Sequence, residues 1–331
     1  MRPLKEWIKI PFKNSKSPEK ILFRVDAGNE YGLSFGHLSR CLILSRVFKE
    51  LYHSDSLFLM KALKDGIQYA SSSGVKVKEL SVKDEEYILN IVDDYQPDCL
   101  IVDLPYLDID MSLYTELKSD KRKLFYIDDN RYINPQADVY LNSSILAQKK
   151  VKKTNPDKTF YFLGPKYFIF DDSLIENSNP IPQNECFNIV LSFGGSDPTD
   201  LMYNVVTNLI NFKHPKIRFY IIFGPGYLNK NKIKHFVNGH NNFFIINNPV
   251  NIIPYFQSCD FVICAGGRTV YELLYLKKKF MPISSASHET TAISELLQNN
   301  VIQYGMKEWS TKEFLKIFES IIKKEYYHAY S

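Results

Sequence analysis

The stretch ILFRVDAGNEYGLSFGHLSRCLILSRVFKEL, residues 21–51, predicts a strand, a glycine-containing loop and a helix in that order. Residues 21–26 are a short apolar run typical of a strand, and residues 27–36 form the loop. A helix is expected to open at His37, because apolar or small residues recur at helical spacing at positions 38, 41, 42, 45 and 48. Glycines permit unusual backbone angles and the first helical turn has unpaired N–H groups, so this arrangement is typical of a binding turn.

His37 follows Gly36 at the predicted start of this helix, where an imidazole is within reach of solvent. Imidazole titrates near neutral pH and is therefore suited to act as a general base on water or a hydroxyl group. The alternative is that His37 caps the helix or packs against its neighbours. The residues alone leave both interpretations open.

The composition is that of a soluble globular protein, with 331 residues, 45% of them hydrophobic and 24% charged. This length is enough for two domains of ordinary size. The formal net charge of +4 is too small to indicate nucleic-acid binding, although it suits an anionic ligand such as a nucleotide. No apolar run reaches the roughly 18 residues of a membrane span, and the lysine-rich first 20 residues do not resemble a signal peptide.

The five cysteines are scattered along the chain and none has the spacing of zinc ligands; they are Cys41, Cys99, Cys186, Cys259 and Cys264. Most of them fall within apolar patterns, which indicates buried free thiols. We therefore expect a cytoplasmic protein without a metal site. The sequence leaves the oligomeric state open.

Strand and helix patterns alternate through the first half of the chain, which predicts an α/β domain with a parallel, doubly wound sheet. Two of its strands end in carboxylates, namely Asp103 and the pair Asp128–Asp129. Ligands of open parallel sheets bind beyond the carboxyl ends of the strands, so these acids are expected to face the same crevice as the His37 loop. The alternative is that each acid caps the loop or helix that follows it.

The periodic pattern fades after about residue 149 and starts afresh near residue 186, which predicts two domains. We expect an N-terminal domain over residues 21–165, a linker over 166–185 and a C-terminal domain over 186–331. Residues 1–20 are a basic extension that is either a flexible arm or a segment lying on the surface.

The second half contains two strands that each lead through a Gly-Gly turn into a helix. The first turn is GGSDPT, residues 194–199, and the second is AGGRT, residues 265–269. Each offers backbone N–H groups and a helix N-terminus to a phosphate, and two such turns in one domain indicate a diphosphate. Glu272, five residues beyond Gly267, is placed either to accept hydrogen bonds from a ribose diol or simply to complement the helix dipole.

Three motifs together resemble the nucleotide-sugar hydrolases of pseudaminic acid biosynthesis. They are the strand containing Arg24 and Asp26 followed by GHxxRCL at residues 36–42, the SFGGSDP of residues 192–198, and the AGGRTxxE of residues 265–272. The likeness extends over about residues 21–320. That family is related to the glycosyltransferase B fold of the peptidoglycan N-acetylglucosaminyltransferase.

The resemblance implies two Rossmann-like domains with a UDP-sugar in the cleft between them. His37 would be the catalytic general base, no metal or other cofactor would be needed, and the nucleotide would lie on the C-terminal domain. Glu272 would contact the ribose, and the two Gly-Gly turns would contact the phosphates. Together with the strand-end argument for Asp103, the residues expected to bind substrate are Gly36, Arg40, Asp103, Gly195, Ser196, Gly266, Gly267, Arg268, Thr269, Glu272, His288 and Glu289.

Three departures from the family pattern concern the substrate more than the fold. The loop before His37 is two residues longer than the family's Gly-x-Gly-His. His288–Glu289 stands where the family has Asn-Gln, so we expect a different contact with the sugar or diphosphate there. The segment after Tyr167 lacks the arginine that is common in the family.

The leading hypothesis is a hydrolase that releases UDP, with inversion, from a UDP-2,4-diacetamido-2,4,6-trideoxy sugar for nonulosonic acid synthesis. The first alternative is an inverting glycosyltransferase of the same fold that makes surface polysaccharide, in which the base acts on a sugar hydroxyl instead of water. The second alternative is a nucleotide-sugar-binding protein without turnover. Retention of His37 argues against that last hypothesis.

Overall fold

The computed structural model describes residues 2–28, 33, 35–80, 84–106, 110–129, 131–170, 175, 178–182 and 185–326. The chain divides into two compact units, Met1–Asp171 and Asp172–Ser331, which we call unit 1 and unit 2. Each contains one fully parallel sheet with helices on its faces, so the predicted α/β fold class is confirmed.

Unit 1 contains seven strands in the order β3-β2-β1-β4-β5-β6-β7. The strands are β1 Lys20–Val25, β2 Asp55–Lys61, β3 Lys76–Leu80, β4 Cys99–Asp103, β5 Lys123–Ile127, β6 Val139–Asn142 and β7 Phe160–Leu163. The helices are α1 Leu4–Trp7, α2 Gly36–Tyr52, α3 Lys64–Ser72, α4 Asp84–Tyr95, α5 Ser112–Glu116 and α6 Ala147–Lys150.

Alternate side chains of the central strand β1 enter the two hydrophobic cores of unit 1. Phe23 and Val25 pack in the core that includes Leu38 and Cys41 of α2. Leu22 points to the opposite core, which includes α4 and α5 residues. The helices therefore cover both faces of the sheet, as a doubly wound sheet requires.

Residues 2–20 are anchored to unit 1 by Leu4, Trp7, Ile8 and Phe12, which belong to its core. Trp7 is fully buried, and its ring centroid lies 4.9 Å from that of Phe162 on β7 and 5.7 Å from that of Tyr167. The backbone N–H of Arg2 also donates to the carbonyl of Lys166. This segment, which the sequence left as either an arm or a surface strip, is thus a structural part of unit 1.

Unit 2 contains five strands in the order β10-β9-β8-β11-β12, and its core lies between the sheet and its helices. The strands are β8 Phe187–Ser192, β9 Ile217–Phe223, β10 Phe243–Asn247, β11 Phe261–Ala265 and β12 Phe280–Ile283. The helices are α7 Leu201–Leu209, α8 Lys230–Phe236, α9 Ile253–Ser258, α10 Arg268–Tyr275, α11 Ser287–Gln298 and α12 Thr311–Ile321, the last continuing into a π-helical turn Ile322–Tyr326. Among the described residues of both units, none of the helices is long and apolar enough to cross a membrane.

Candidate functional site

The carboxyl end of β4 lies next to the carboxyl end of β1 in unit 1. Val25 and Asp103 are register partners in this pair of strands. The chain leaving β1 enters α2 at Gly36, and His37 and Arg40 are three residues apart on the first turns of that helix. Residues three apart lie on one helix face, so both side chains reach the same carboxylate.

Asp103 is completely buried and is the centre of a hydrogen-bonded cluster in unit 1. Its Oδ1 lies 2.7 Å from Nδ1 of His37, and its Oδ2 accepts from Nε of Arg40 at 2.5 Å. Nη2 of Arg40 donates to Oδ1, also at 2.5 Å, and the Cys41 thiol contacts Oδ2. Burial disfavours the charged carboxyl, but Arg40 and His37 outweigh it and hold the pKa of Asp103 well below its usual range.

The ionised state of Asp103 fixes the tautomer of His37. A carboxylate only accepts hydrogen bonds, so the 2.7 Å contact requires a proton on Nδ1 of the imidazole. The 3.0 Å contact between Nδ1 and Nη2 of Arg40 is then a close approach of two donors and not a hydrogen bond. In the neutral ring the lone pair consequently lies on Nε2. A histidine held in this way by a carboxylate is oriented to take a proton at Nε2.

Asp129, just beyond β5, joins the cluster from the far side of Arg40. Its Oδ1 accepts from Nη1 of Arg40 at 2.8 Å. Burial opposes the charge on Arg40, but the two carboxylates outweigh it and raise the guanidinium pKa well above its usual value. Burial also opposes the charge on Asp129, whose pKa is nevertheless lowered by Arg40 and His37.

The neighbouring acids Asp128 and Asp26 have different roles. Asp128 accepts from the backbone N–H groups of Arg131 and Tyr132 and from the Tyr140 hydroxyl, so it holds the loop after β5. Asp26 is fully buried and accepts from the Arg24 guanidinium and from the backbone N–H of Lys61. The sequence left a capping role open for both acids after β5; the structure places Asp128 in that role and Asp129 in the cluster.

The first Gly-Gly turn of unit 2 follows β8 and is held by the loop after β9. Gly194 has a φ of +78°, a left-handed conformation that favours glycine. The backbone N–H of Gly226 donates to the carbonyl of Gly195 at 2.8 Å. A Cβ atom on Gly224 would lie 2.3 Å from the carbonyl oxygen of Gly194, so the close seating of this turn requires glycine there. Ser196 is half-buried within the turn.

The second Gly-Gly turn follows β11, which pairs with β8, so both turns lie at the carboxyl edge of one sheet. Glu289 packs against it: a Cβ on Gly266 would lie 2.9 Å from Cβ of Glu289, and one on Gly267 would lie 3.2 Å from its Oε1. The other oxygen, Oε2, accepts from the backbone N–H and the hydroxyl of Ser285, at 2.7 and 2.8 Å. The structure thus places Glu289 as a buried support of this turn, whereas its neighbour His288 is exposed.

The helix after the second turn brings Arg268 and Glu272 together. Nε of Arg268 donates to Oε1 of Glu272 at 3.0 Å, and both side chains are mostly buried. Among the described residues, Oε2 of Glu272 makes no hydrogen bond. Thr269 is half-buried beside them on the first turn of α10.

The structure therefore groups the residues proposed from the sequence into two sets. Unit 1 brings together Gly36, His37, Arg40 and Asp103, and adds Asp129. Unit 2 holds Gly195 and Ser196 at one turn and Gly266, Gly267, Arg268, Thr269, Glu272 and Glu289 at the other. Within the described part of the chain, no group of three or more His, Cys, Asp or Glu side chains is arranged to hold a metal ion.

Comparison with known proteins identifies relatives at low identity, and no family model matches the chain. It is 27% identical over 267 residues to an uncharacterised protein of Methanocaldococcus jannaschii, a match that covers 78% of this chain and 54% of that protein. The chain thus spans about half the length of this relative. It is 20% identical over 250 residues to the spore coat polysaccharide biosynthesis protein SpsG of Bacillus subtilis, covering 74% of this chain and 73% of that protein.

Solved structures share the architecture over nearly the whole chain. Spinosyn rhamnosyltransferase SpnG matches with a TM-score of 0.61 at 10% identity, covering 92% of both chains. MurG of Acinetobacter baumannii matches with a TM-score of 0.59 at 10% identity, covering 92% of this chain and 91% of that one. Anabaena HepE in complex with UDP matches with a TM-score of 0.58 at 14% identity, covering 92% and 90%. The chain therefore has the glycosyltransferase B fold, which the sequence resemblance implied.

Proposed function

We propose that the protein is an enzyme that uses a UDP-sugar. Three observations support this proposal: the histidine–aspartate pair of unit 1, the two Gly-Gly turns of unit 2, and likeness to proteins of nucleotide-sugar chemistry. HepE, which has the same fold, was solved with UDP, and SpsG belongs to polysaccharide biosynthesis.

In this proposal unit 2 holds the nucleotide. The turn at Gly195 and the start of α10 at Gly267 offer backbone N–H groups to the diphosphate. The N–H of Gly266 does not, because it donates to the carbonyl of Ile283 at 3.0 Å. Glu272 accepts hydrogen bonds from the ribose hydroxyls through Oε2, since its Oε1 is paired with Arg268. The N-terminus of α10 stabilises the negative charge of the leaving diphosphate, and the proposed reaction uses no metal ion.

His37 is the proposed general base, and its 2.7 Å contact with Asp103 is the observation that carries the proposal. Nε2 takes a proton from water as the water oxygen forms a bond to the anomeric carbon. The bond between that carbon and the diphosphate oxygen breaks, and its electron pair leaves with UDP. Attack opposite the leaving group inverts the anomeric centre.

The proposed substrate is a UDP-2,4-diacetamido-2,4,6-trideoxy sugar, and the free sugar would enter nonulosonic acid synthesis. Its support is the resemblance of the three sequence motifs to hydrolases of pseudaminic acid biosynthesis. A cytoplasmic location is part of the same proposal, and the five buried free thiols suit a reducing compartment.

The second candidate is an inverting glycosyltransferase that builds surface polysaccharide. It is favoured by the fold, because SpnG is a rhamnosyltransferase and a further structural neighbour, from Rickettsia africae, is a glycosyltransferase. The same Nε2 would then deprotonate a sugar hydroxyl instead of water. A non-catalytic nucleotide-sugar-binding protein is the third candidate, but it would have no use for a base held by a buried carboxylate.

The deciding experiment follows UDP and free sugar from a panel of UDP-amino sugars without an acceptor. A hydrolase releases UDP and free sugar at equal rates without an acceptor. A transferase binds UDP but releases UDP from the UDP-sugar only when an acceptor is added, and the sugar is then bonded to the acceptor. For His37→Ala we expect turnover to fall by at least about 100-fold with the UDP Kd unchanged, because the base does not contact the nucleotide. Glu272→Ala should instead raise the UDP Kd.

His235→Ala is the matched control, since His235 is exposed on α8 and outside both sets of site residues. It should behave as the wild type. Equal loss of turnover and of UDP affinity in His37→Ala would contradict the assignment of the base. Failure of the wild-type protein to bind UDP would contradict all three candidates.

A further inference from the structure

The resemblance assigns Arg40 to substrate binding, but its contacts are directed into the protein. Nε and Nη2 donate to the two oxygens of Asp103, and Nη1 donates to Asp129. Each guanidinium nitrogen is therefore committed to a carboxylate, and only 10% of the side chain is exposed. Little of the group remains for a substrate.

The paired hydrogen bonds from Arg40 fix the plane of the Asp103 carboxylate. A two-pronged contact between a guanidinium and a carboxylate allows one relative orientation, whereas a lysine in its place would act as a point charge. The same Oδ1 that accepts from Nη2 receives Nδ1–H of His37. The orientation of the imidazole therefore depends on Arg40 through Asp103.

The charged groups facing His37 act on its protonation in opposite senses. Arg40, one turn along α2, brings its positive charge within 3.0 Å of Nδ1 and opposes a proton on the ring. Asp103 on β4 and Asp129 after β5 carry negative charges that favour the proton. The pH at which the imidazole takes up its proton is thus a balance among three residues from three elements.

We propose that Arg40 and Asp129 are positioning residues that hold Asp103 and set the pH range over which His37 acts as a base. This inference rests on the base role given to His37 in the proposed function. Neither residue touches the reacting atoms. Asp129 has a specific task in this arrangement: it shares the charge of Arg40, so that the guanidinium does not suppress protonation of His37.

The test is an NMR titration of the ¹⁵N-labelled imidazole in the full-length protein without substrate. For Arg40→Gln we expect the midpoint of His37 protonation to rise by about one pH unit, because a nearby positive charge is lost. For Asp129→Asn we expect the midpoint to fall. Arg46→Gln, on an exposed position of the same helix, is the matched control and should leave the midpoint unchanged.

Arg40→Lys separates charge from geometry. It keeps the positive charge, so the midpoint should stay near that of the wild type. It lacks the two-pronged contact, so the ¹⁵N shifts should show a larger share of the tautomer protonated at Nε2. In turnover assays kcat should fall while the UDP Kd is unchanged.

Two results would overturn the inference and leave both residues with a purely structural role. In the first, the midpoints of Arg40→Gln and Asp129→Asn shift in the same direction. In the second, neither midpoint shifts and only the thermal stability falls. Should Arg40→Gln fail to fold, Asp129→Asn decides the matter, since Asp129 is one-third exposed and less disruptive to replace. The titration needs no substrate. A wild-type protein without turnover would therefore contradict the proposed function without altering the result for these two residues.

Discussion

At the scale of single residues, the cluster around Asp103 shows how a buried carboxylate is kept charged. Removing a carboxylate from water is costly, and one buried without partners would become protonated. Here Arg40 supplies two hydrogen bonds and a full positive charge, and His37 supplies a third hydrogen bond. The acid is consequently a permanent acceptor, and the proton on Nδ1 of His37 does not move to it.

Replacing Asp103 by asparagine tests whether its charge is needed to orient His37. In Asp103→Asn, Arg40 would face an amide with one acceptor where it now has two, and the tautomer of His37 would no longer be fixed. We expect kcat to fall by about 10²- to 10⁴-fold, the range of general-base contributions, with the UDP Kd unchanged. Breaking a buried ion pair should also lower the free energy of unfolding by about 3–5 kcal/mol.

Asp128→Asn is the control for Asp103→Asn, because it removes a buried carboxylate that holds a loop and makes no contact with His37. Urea unfolding and initial rates of UDP release measure the two effects. Loss of stability in both variants with loss of kcat in Asp103→Asn alone is the expected pattern. Equal loss of kcat in the two would indicate that Asp103 acts only through the fold.

At the scale of secondary-structure elements, the sequence predicted those whose hydrophobic pattern is strong. Strand β1 and the start of α2 lie within a residue of their predicted positions, and β4 ends at Asp103 as predicted. Strands β6, β7, β10 and β12 were not predicted, and neither were helices α8, α9 and α11. These strands have only four or five residues each, and short apolar runs become strands only through pairing with neighbours.

The candidate site was likewise predicted only in part. Because strands of a parallel sheet end at one edge, the sequence alone brought Asp103 to the neighbourhood of His37. It gave no sign that Arg40 would turn inward to bind two acids, because an arginine on the first turn of a helix is equally suited to solvent or substrate. The buried position of Glu289 was likewise hidden, since it depends on the packing of α11 against the Gly-Gly turn after β11.

A buried carboxylate, Asp197, binds the first backbone N–H groups of helix α7. Asp197 accepts from the backbone N–H groups of Leu201 and Met202 at 2.9 and 2.8 Å. Burial raises its pKa from 3.8 to about 6, although these two hydrogen bonds oppose the rise. The native state therefore binds this proton more tightly than the unfolded chain does. The free energy of unfolding contributed by this group falls as the pH rises from about 4 to about 6.

In Asp197→Asn this part of the pH dependence should disappear. Between pH 4 and pH 7 the free energy of unfolding of the wild type should fall by up to about 3 kcal/mol relative to that of the variant. Urea titrations at half-unit pH steps measure it. A difference that stays constant across this range would show that Asp197 is ionised at its ordinary pKa in the native protein.

At the scale of the whole molecule, the break in periodicity between two series of strands predicted the division into two α/β units. The sequence did not predict the structural role of residues 2–20. Their lysines and prolines are typical of an exposed arm. The decisive residue is Trp7, whose burial depends on aromatic partners about 155 and 160 positions further along, Phe162 and Tyr167. A pattern analysis of neighbouring residues does not detect such a contact.

Through this contact the N-terminal segment connects the beginning of unit 1 to its end. The segment lies beside β7, the edge strand of the seven-stranded sheet, and closes the core on that side. Trp7→Ala would leave a cavity lined by aromatic rings, and we expect it to lower the free energy of unfolding by about 3–5 kcal/mol. Its partners are far from the Asp103 cluster in the order of strands, so kcat and the UDP Kd of the folded variant should remain those of the wild type.

Ile10→Ala is the matched control for Trp7→Ala, because Ile10 belongs to the same segment but is 40% exposed, and it should cost much less stability. Chemical unfolding followed by circular dichroism, with activity measured well below the transition, distinguishes the two variants. A Trp7→Ala protein as stable as the wild type would mean that residues 2–20 rest on unit 1 without supporting it.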